Sequence, residues 1–355
     1  MKVFTGRMAS AALLALALAV PGAAMADVID DDGGPGEGSR RPVPAATPAP
    51  APAPAAAECR TWFPDFDSSC DRDGRWDGFH RPIVMPYLFE DPFITTGIYP
   101  VYIWHQFPND SVFQGGDLNV VAVQAQLAIT DRLAFIAGKD GYGWLNPDNP
   151  LVDDHTGWFN LGFGLKYALI QDKERNFILS AIGQFEVPTG SSNLYQGHGS
   201  GEFRPALAAA WGIGDLRLIG GIGGNIPFDF DEQSQFLFYN LYGEYNVHKY
   251  LSPFVQFNGQ YWTGGGDGTY GIRTKVGSLP LTTVQSALGT GPFEGNDVMN
   301  LGSQGVAGKQ VMTFAAGLHV PINEHVTLSA AYELPMTDTE FVFNQRVTTQ
   351  ISLEF

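Results

Sequence analysis

Histidines, two cysteines and an excess of carboxylates are the side chains in this sequence with most chemistry to offer. His80, His105, His155, His198, His248, His319 and His325 are scattered, and none pairs with another at metal-ligand spacing. That argues against a zinc or copper centre, and no motif calls for a cofactor. Asp71-Arg72-Asp73-Gly74 has the form of a calcium loop, but His80 stands where the closing glutamate belongs. His198 and Ser200 are close neighbours, and a hydrolase needs a His and a Ser within hydrogen-bond reach. They lie in Gly197-His198-Gly199-Ser200-Gly201, however, which reads more simply as a flexible surface turn. Neither a GxSxG elbow nor a phosphate-binding glycine loop occurs, so no catalytic residue is expected.

Composition narrows the class. The 355 residues carry 20 Lys plus Arg against 37 Asp plus Glu, a net charge of −17, the opposite of a nucleic-acid binder. Only 16% of residues are charged and 44% are hydrophobic, so disorder can hold only locally. The 43 glycines and the 13% of aromatic residues suit strands joined by turns.

Lys2 and Arg7, the apolar run Ala11 to Val20 and Ala24-Met25-Ala26 describe a signal peptide over residues 1–26. Residues 27–57 are first acidic and then rich in Pro and Ala, which predicts a disordered, semi-rigid spacer. Residues 58–92 follow as a segment expected to lie in the periplasm. Its two cysteines, Cys59 and Cys70, are expected to close a disulfide loop worth about 3 kcal/mol in an oxidising compartment.

From 93 to 355 the pattern has period two. Phe159, Leu161, Phe163, Leu165, Tyr167 and Leu169 oppose Asn160, Gly162, Gly164, Lys166 and Ala168. Twelve such segments occur, near 95–106, 117–129, 133–143, 157–169, 176–187, 202–213, 216–226, 235–247, 251–262, 310–320, 326–336 and 344–355. The first and third alternate poorly, so ten or fourteen strands stay open. Tight turns and long connections alternate strictly, which predicts a transmembrane antiparallel up-and-down β-barrel with both termini on the tight-turn, periplasmic side. In a soluble sandwich the polar face would be about a quarter to a third charged, whereas here it is mostly Gly, Ala, Ser, Thr, Asn and Gln. Large apolar side chains would face outer-membrane lipid, with Trp158, Tyr167, Trp211, Tyr245 and Tyr250 near the interfaces. Inward-pointing Lys166, Arg204, Arg217 and Arg346, with Glu186, Glu244, Glu333 and Glu354, would form either a cross-barrel ion-pair lattice or a selectivity ring. The matched signs favour the lattice.

The last strand, VTTQISLEF, places Ile351, Leu353 and Phe355 on one face and resembles the signal read by the outer-membrane barrel-assembly machinery. The stretch from Gly97 to Phe355 resembles barrels of the meta-pathway phenol-degradation (MetA-type) family, through WFNLGFGLKYALI at 158–170 and NDVMNLGS at 296–303. The resemblance implies a channel or transporter for small, hydrophobic or aromatic, molecules, without catalysis. An outer-membrane lipid-hydrolysing enzyme, or a structural barrel anchoring a periplasmic arm, are the competing readings. Thr263 to Lys309 is too long for a structureless loop. Its helix-compatible piece from Leu279 to Leu288 is expected to constrict or plug the pore, with Arg273 and Lys275 near the solute path; a solvent-exposed outer cap is the alternative.

Overall fold

The period-two segments pair into one sheet that closes on itself. The computed structural model describes residues 76, 78–295, 297–337 and 343–355; both cysteines, the expected signal peptide and the spacer lie outside them. β1 (Gly97–Gln106) and β2 (Gly116–Ala128) are followed by two interrupted staves, β3 (Leu133–Lys139) with β4 (Tyr142–Pro147), and β5 (His155–Trp158) with β6 (Leu161–Asp172). The meander continues through β7 (Phe177–Val187), β8 (Glu202–Ile213), β9 (Leu216–Pro227), β10 (Gln235–Tyr245) and β11 (Ser252–Gly264). A long connection holds the hairpin β12 (Gly271–Thr274) and β13 (Gly277–Pro280) and the helix α1 (Leu281–Leu288). β14 (Gln310–Pro321), β15 (Val326–Pro335) and β16 (Gln345–Glu354) complete the ring, because β1 bonds both β2 and β16. The result is a closed antiparallel barrel of twelve staves, the expected number.

The barrel is inside out. Along β6, Leu161, Phe163, Leu165, Tyr167 and Leu169 are exposed, while Gly162, Gly164, Lys166 and Ala168 are buried. Trp158, Trp211, Tyr245 and Tyr250 also face outward near the stave ends. Only an apolar surrounding makes such an exterior favourable, and closure leaves no unpaired edge in lipid. Phe355 donates its backbone N–H to Thr96 at 3.0 Å, so the barrel's two ends meet at the tight-turn rim.

Two departures from clean alternation have local causes. In β1 the inward row is Tyr99, Val101, Ile103 and His105, so both faces are mostly apolar and the period is masked. The third stave breaks at Asp140-Gly141, where the Val123 amide donates to the Asp140 side chain at 2.9 Å rather than to a backbone carbonyl. Gly141 has φ 114°, and a Cβ there would lie 2.7 Å from the Val121 carbonyl, so only glycine fits.

The interior is filled by chain that the sequence reading placed outside. Residues 78–92, expected in the periplasm, instead run through the lumen. Ile83, Val84, Met85, Leu88 and Phe89 are all buried, and a turn at Met85 (φ 50°) reverses the segment, its carbonyl accepting from the Leu88 and Phe89 amides. The polar wall supplies partners for this strandless, Pro-containing backbone. Gln256 donates to the Val84 carbonyl at 2.9 Å, Gln124 to Pro86 at 2.8 Å, and Gln126 to Phe93 at 2.7 Å. Apolar side chains that need burial and carbonyls that need donors are both satisfied there.

Candidate functional site

The lumen contents form the candidate site: a plug, residues 78–96, and a cap, the part of the long connection beyond α1. Three ionic clusters hold them. In the first, Arg81 bridges Glu90 at 3.0 Å and Asp91 at 2.5 Å, joining the two limbs of the plug. Lys166, fully buried on β6, reaches Asp91 at 3.1 Å and Glu90 at 3.4 Å and ties the plug to the wall. Arg81 also lies 4.5 Å from the Tyr99 ring centroid, a cation–π contact.

The second cluster centres on Glu186, near the long-loop end of β7. It accepts from Tyr87 Oη at 2.6 Å, Lys139 at 2.8 Å, Arg204 at 2.8 Å and Asn160 at 2.6 Å. Arg204 also bonds Glu202, which accepts in turn from Gln233 at 3.0 Å and from Asn300 of the cap at 2.6 Å. In the third, Arg346 reaches Asp297 of the cap at 2.6 Å and Glu333 at 3.7 Å. Removing such charges from water is costly, and each cluster offsets that cost by placing opposite signs in contact.

At the tight-turn end Glu244 accepts from His80 of the plug and from Tyr242 Oη at 2.8 Å. His80 stacks on His319, with ring centroids 5.0 Å apart. Arg217 donates to the Gly214 and Leu216 carbonyls and faces the Phe79 ring at 5.3 Å. Glu354 is half-buried at the rim, its carbonyl near His325 Nδ1.

Of the eight inward residues read from the sequence, Lys166, Glu186, Arg204, Glu333 and Arg346 are gathered into the three clusters rather than one ring. Glu244 pairs with His80, and Arg217 and Glu354 stand outside the clusters at the tight-turn end. Most of their partners escaped that reading. Glu202 shares the inward face of β8 with Arg204 and was legible by parity. Lys139 was not, because a bulge between Ala137 and Lys139 shifts the register and brings it to the inward face. Arg81, Glu90, Asp91 and Asp297 belong to segments with no strand period to read.

The loop expectation needs correction at its charged residues. Arg273 donates to Ser192 Oγ at 2.7 Å on the exposed surface, and Lys275, about half exposed, lies 3.7 Å from Asp153. Neither lines the lumen. Helix α1 forms as expected and ends at Gly289 (φ 68°), with Leu281 and Val284 buried. The chain that turns inward comes after it: Phe293, Glu294, Asp297, Met299 and Leu301 are buried. Phe293 packs edge-on against Phe113, centroids 5.3 Å apart, which seals that side of the mouth.

Two recesses flank the plug tip. The polar one is lined by Glu186, Glu202, Arg204, His198, Gln233 and Asn300, and has room for about one water molecule. Arg204 Nη1, His198 Nδ1 and Gln233 Oε1 have no protein partner there. The other is apolar, between Tyr87 and Val101, Ile103, Val120, Ala122, Phe159 and Val298. His198 is held by the Asn300 carbonyl at 2.7 Å and stacks on Tyr270 at 3.8 Å; no hydrogen bond joins it to exposed Ser200. Burial keeps the His198 imidazole below its ordinary pKa and pushes the Tyr270 hydroxyl up to about 12.

A closed barrel with lipid-type side chains outside and a polar, plugged lumen is an outer-membrane β-barrel. Residues 94–279 match the family described as "Putative MetA-pathway of phenol degradation", and the chain belongs to that family. Among solved structures it is similar to an outer membrane channel from Pseudomonas putida F1, at 15% identity over 79% of this chain and 98% of that one, TM-score 0.49. It is also similar to the NanC porin, at 10% identity over 73% and 98%, TM-score 0.41. The KdgM porin follows, at 10% identity over 72% and 99%, TM-score 0.38. No curated protein matches the chain.

Proposed function

We propose that this protein is an outer-membrane channel for small molecules, hydrophobic or aromatic ones included, whose resting state is closed by the plug and cap. The observation that carries this reading is the plug: a segment without secondary structure, tied inside a membrane barrel by hydrogen bonds and ion pairs that can be remade with water or solute. Transport needs no catalytic step, and His198 is engaged by Asn300 and Tyr270 rather than by Ser200.

The reading includes export by the signal peptide, insertion by the barrel-assembly machinery through Ile351, Leu353 and Phe355, and termini on the periplasmic side. The Cys59–Cys70 disulfide belongs to the same periplasmic arm. The test replaces residues 80–91 by a Gly-Ser linker in the full chain, followed by liposome swelling with sugars and aromatic acids of graded size. Swelling rates should rise and the size limit widen. A folded, heat-modifiable linker variant with wild-type swelling for every solute would refute the plugged-channel reading.

A further inference from the structure

The cap is pinned by one buried carboxylate that has no cation among the described residues. Glu294 is 1% exposed. Its Oε1 accepts from Ser234 Oγ at 2.7 Å and from the Ser303 amide at 2.6 Å, and its Oε2 accepts from the Leu301 amide at 3.0 Å. Ser234 belongs to the connection before β10, and Leu301 and Ser303 to the far limb of the cap. One side chain thus folds the cap on itself and fastens it to the barrel rim.

Every other buried carboxylate among the described residues has a basic partner. Glu90, Asp91, Glu186, Glu202, Asp297 and Glu333 contact Arg or Lys, and Glu244 contacts His80. The groups packed around Glu294 do not compensate it. Asn300 donates to Glu202 while its side-chain oxygen accepts from the Ser234 amide at 2.8 Å, so a second carboxylate stands one residue away on the wall side. Asp297 is taken by Arg346, Glu232 accepts from the Gly199 amide, and His198 is bound to the Asn300 carbonyl. Arg204 and Lys139 are committed to Glu186 and Glu202.

We propose that Glu294 is a proton-operated latch: with its proton it seats the cap in the barrel mouth, and on losing the proton it loosens the cap. The Ser234 hydroxyl donates to the carboxylate and can rotate to accept from the carboxylic acid, so the seated cap accommodates both forms. Burial raises the Glu294 carboxyl from its ordinary 4.5 to about 6, outweighing the three donors. A cap swung into water restores the ordinary value. The Glu294 contribution to seating is therefore fully present below about pH 4.5 and is lost as pH rises through about 6, about 30-fold in the equilibrium constant. His198, neutral against the same cap, contributes in the opposite direction.

The experiment follows hydrogen–deuterium exchange of the Leu301 and Ser303 amides in the full chain at pH 4 and pH 7.5, normalised to intrinsic exchange. Relative to E294Q, wild-type protection should fall about 30-fold between the two conditions. E294Q keeps only the opposite trend that His198 gives. S234A, which removes a donor to the charged form, should move the midpoint upward and serves if E294Q fails to fold. An E294Q or S234A profile identical to wild type overturns the latch. The conductance arm rests on the channel reading: openings in planar bilayers should become more frequent over the same pH range. Flat conductance alongside pH-dependent protection supports the latch and counts against the channel.

Discussion

Replacing Lys166 by methionine removes the wall cation that ion-pairs with the plug's two carboxylates. Lys166 is fully buried, 3.1 Å from Asp91 and 3.4 Å from Glu90, and also donates to Gln126 at 2.9 Å. Methionine keeps much of the volume but leaves two buried carboxylates sharing Arg81 alone. Breaking a buried pair in this way costs about 3–5 kcal/mol. The barrel ladder does not depend on Lys166, so the cost falls on plug docking and not on the barrel. The population in which this limb of the plug leaves the wall should rise by a factor of about 10²–10³ or more. Opening frequency in planar bilayers reads this directly, with heat-modifiable gel migration as the folding control. K166M/D91N restores charge balance and should recover most of the loss, because the cost lies in the uncompensated charge. Wild-type opening in K166M, or a double variant as leaky as the single one, would refute the reasoning.

Gly164→Ala should lower the yield of folded barrel and its melting temperature, since a Cβ there would meet the Gly183 carbonyl at 2.2 Å; a gel-shift melt measures it. R273A and K275A should leave conductance and stability within about 1 kcal/mol of wild type, because both side chains make exposed contacts outside the lumen. Deleting Phe355 should reduce folded protein in the outer membrane, and unchanged membrane yield with unchanged migration would count against the assembly role. A thiol titration of the unreduced, denatured protein should find no free thiol, as expected for a Cys59–Cys70 bridge.

What was legible in the sequence depended on contrast between faces. β6 could be read because Leu165 and Tyr167 alternate with Gly164 and Lys166, and the two rows meet opposite environments. β1 was obscure because its inward row, Tyr99, Val101 and Ile103, is as apolar as its outward one. The plug itself carries no period, and its partners are far away in sequence: Gln256 bonds Val84 across 172 residues. The long connection announced itself by length, but no local signal says which part turns inward. Arg273 and Lys275 drew attention as charges, whereas the inward limb is marked by Phe293, Asp297 and Leu301.

The two kinds of contact on the plug set different limits on its motion. Ile83, Val84, Met85, Leu88 and Phe89 are buried, and exposing all five to water would cost about 8–15 kcal/mol, an upper figure. Complete ejection of the plug is therefore far outside thermal reach without a partner that takes up this apolar surface. The polar contacts behave differently, because each has a replacement in water or in a neighbouring carboxylate. Tyr87, at the tip, is held by Glu186 and lies 3.7 Å beneath Arg204, beside the apolar recess lined by Val101, Ile103 and Val120. A tip that leaves Glu186 and slides along that recess keeps apolar side chains in apolar contact while it clears the polar side of the mouth. Passage by a shift of the tip is thus cheaper than passage by removal of the plug, and an apolar solute entering the recess would compete for the same wall.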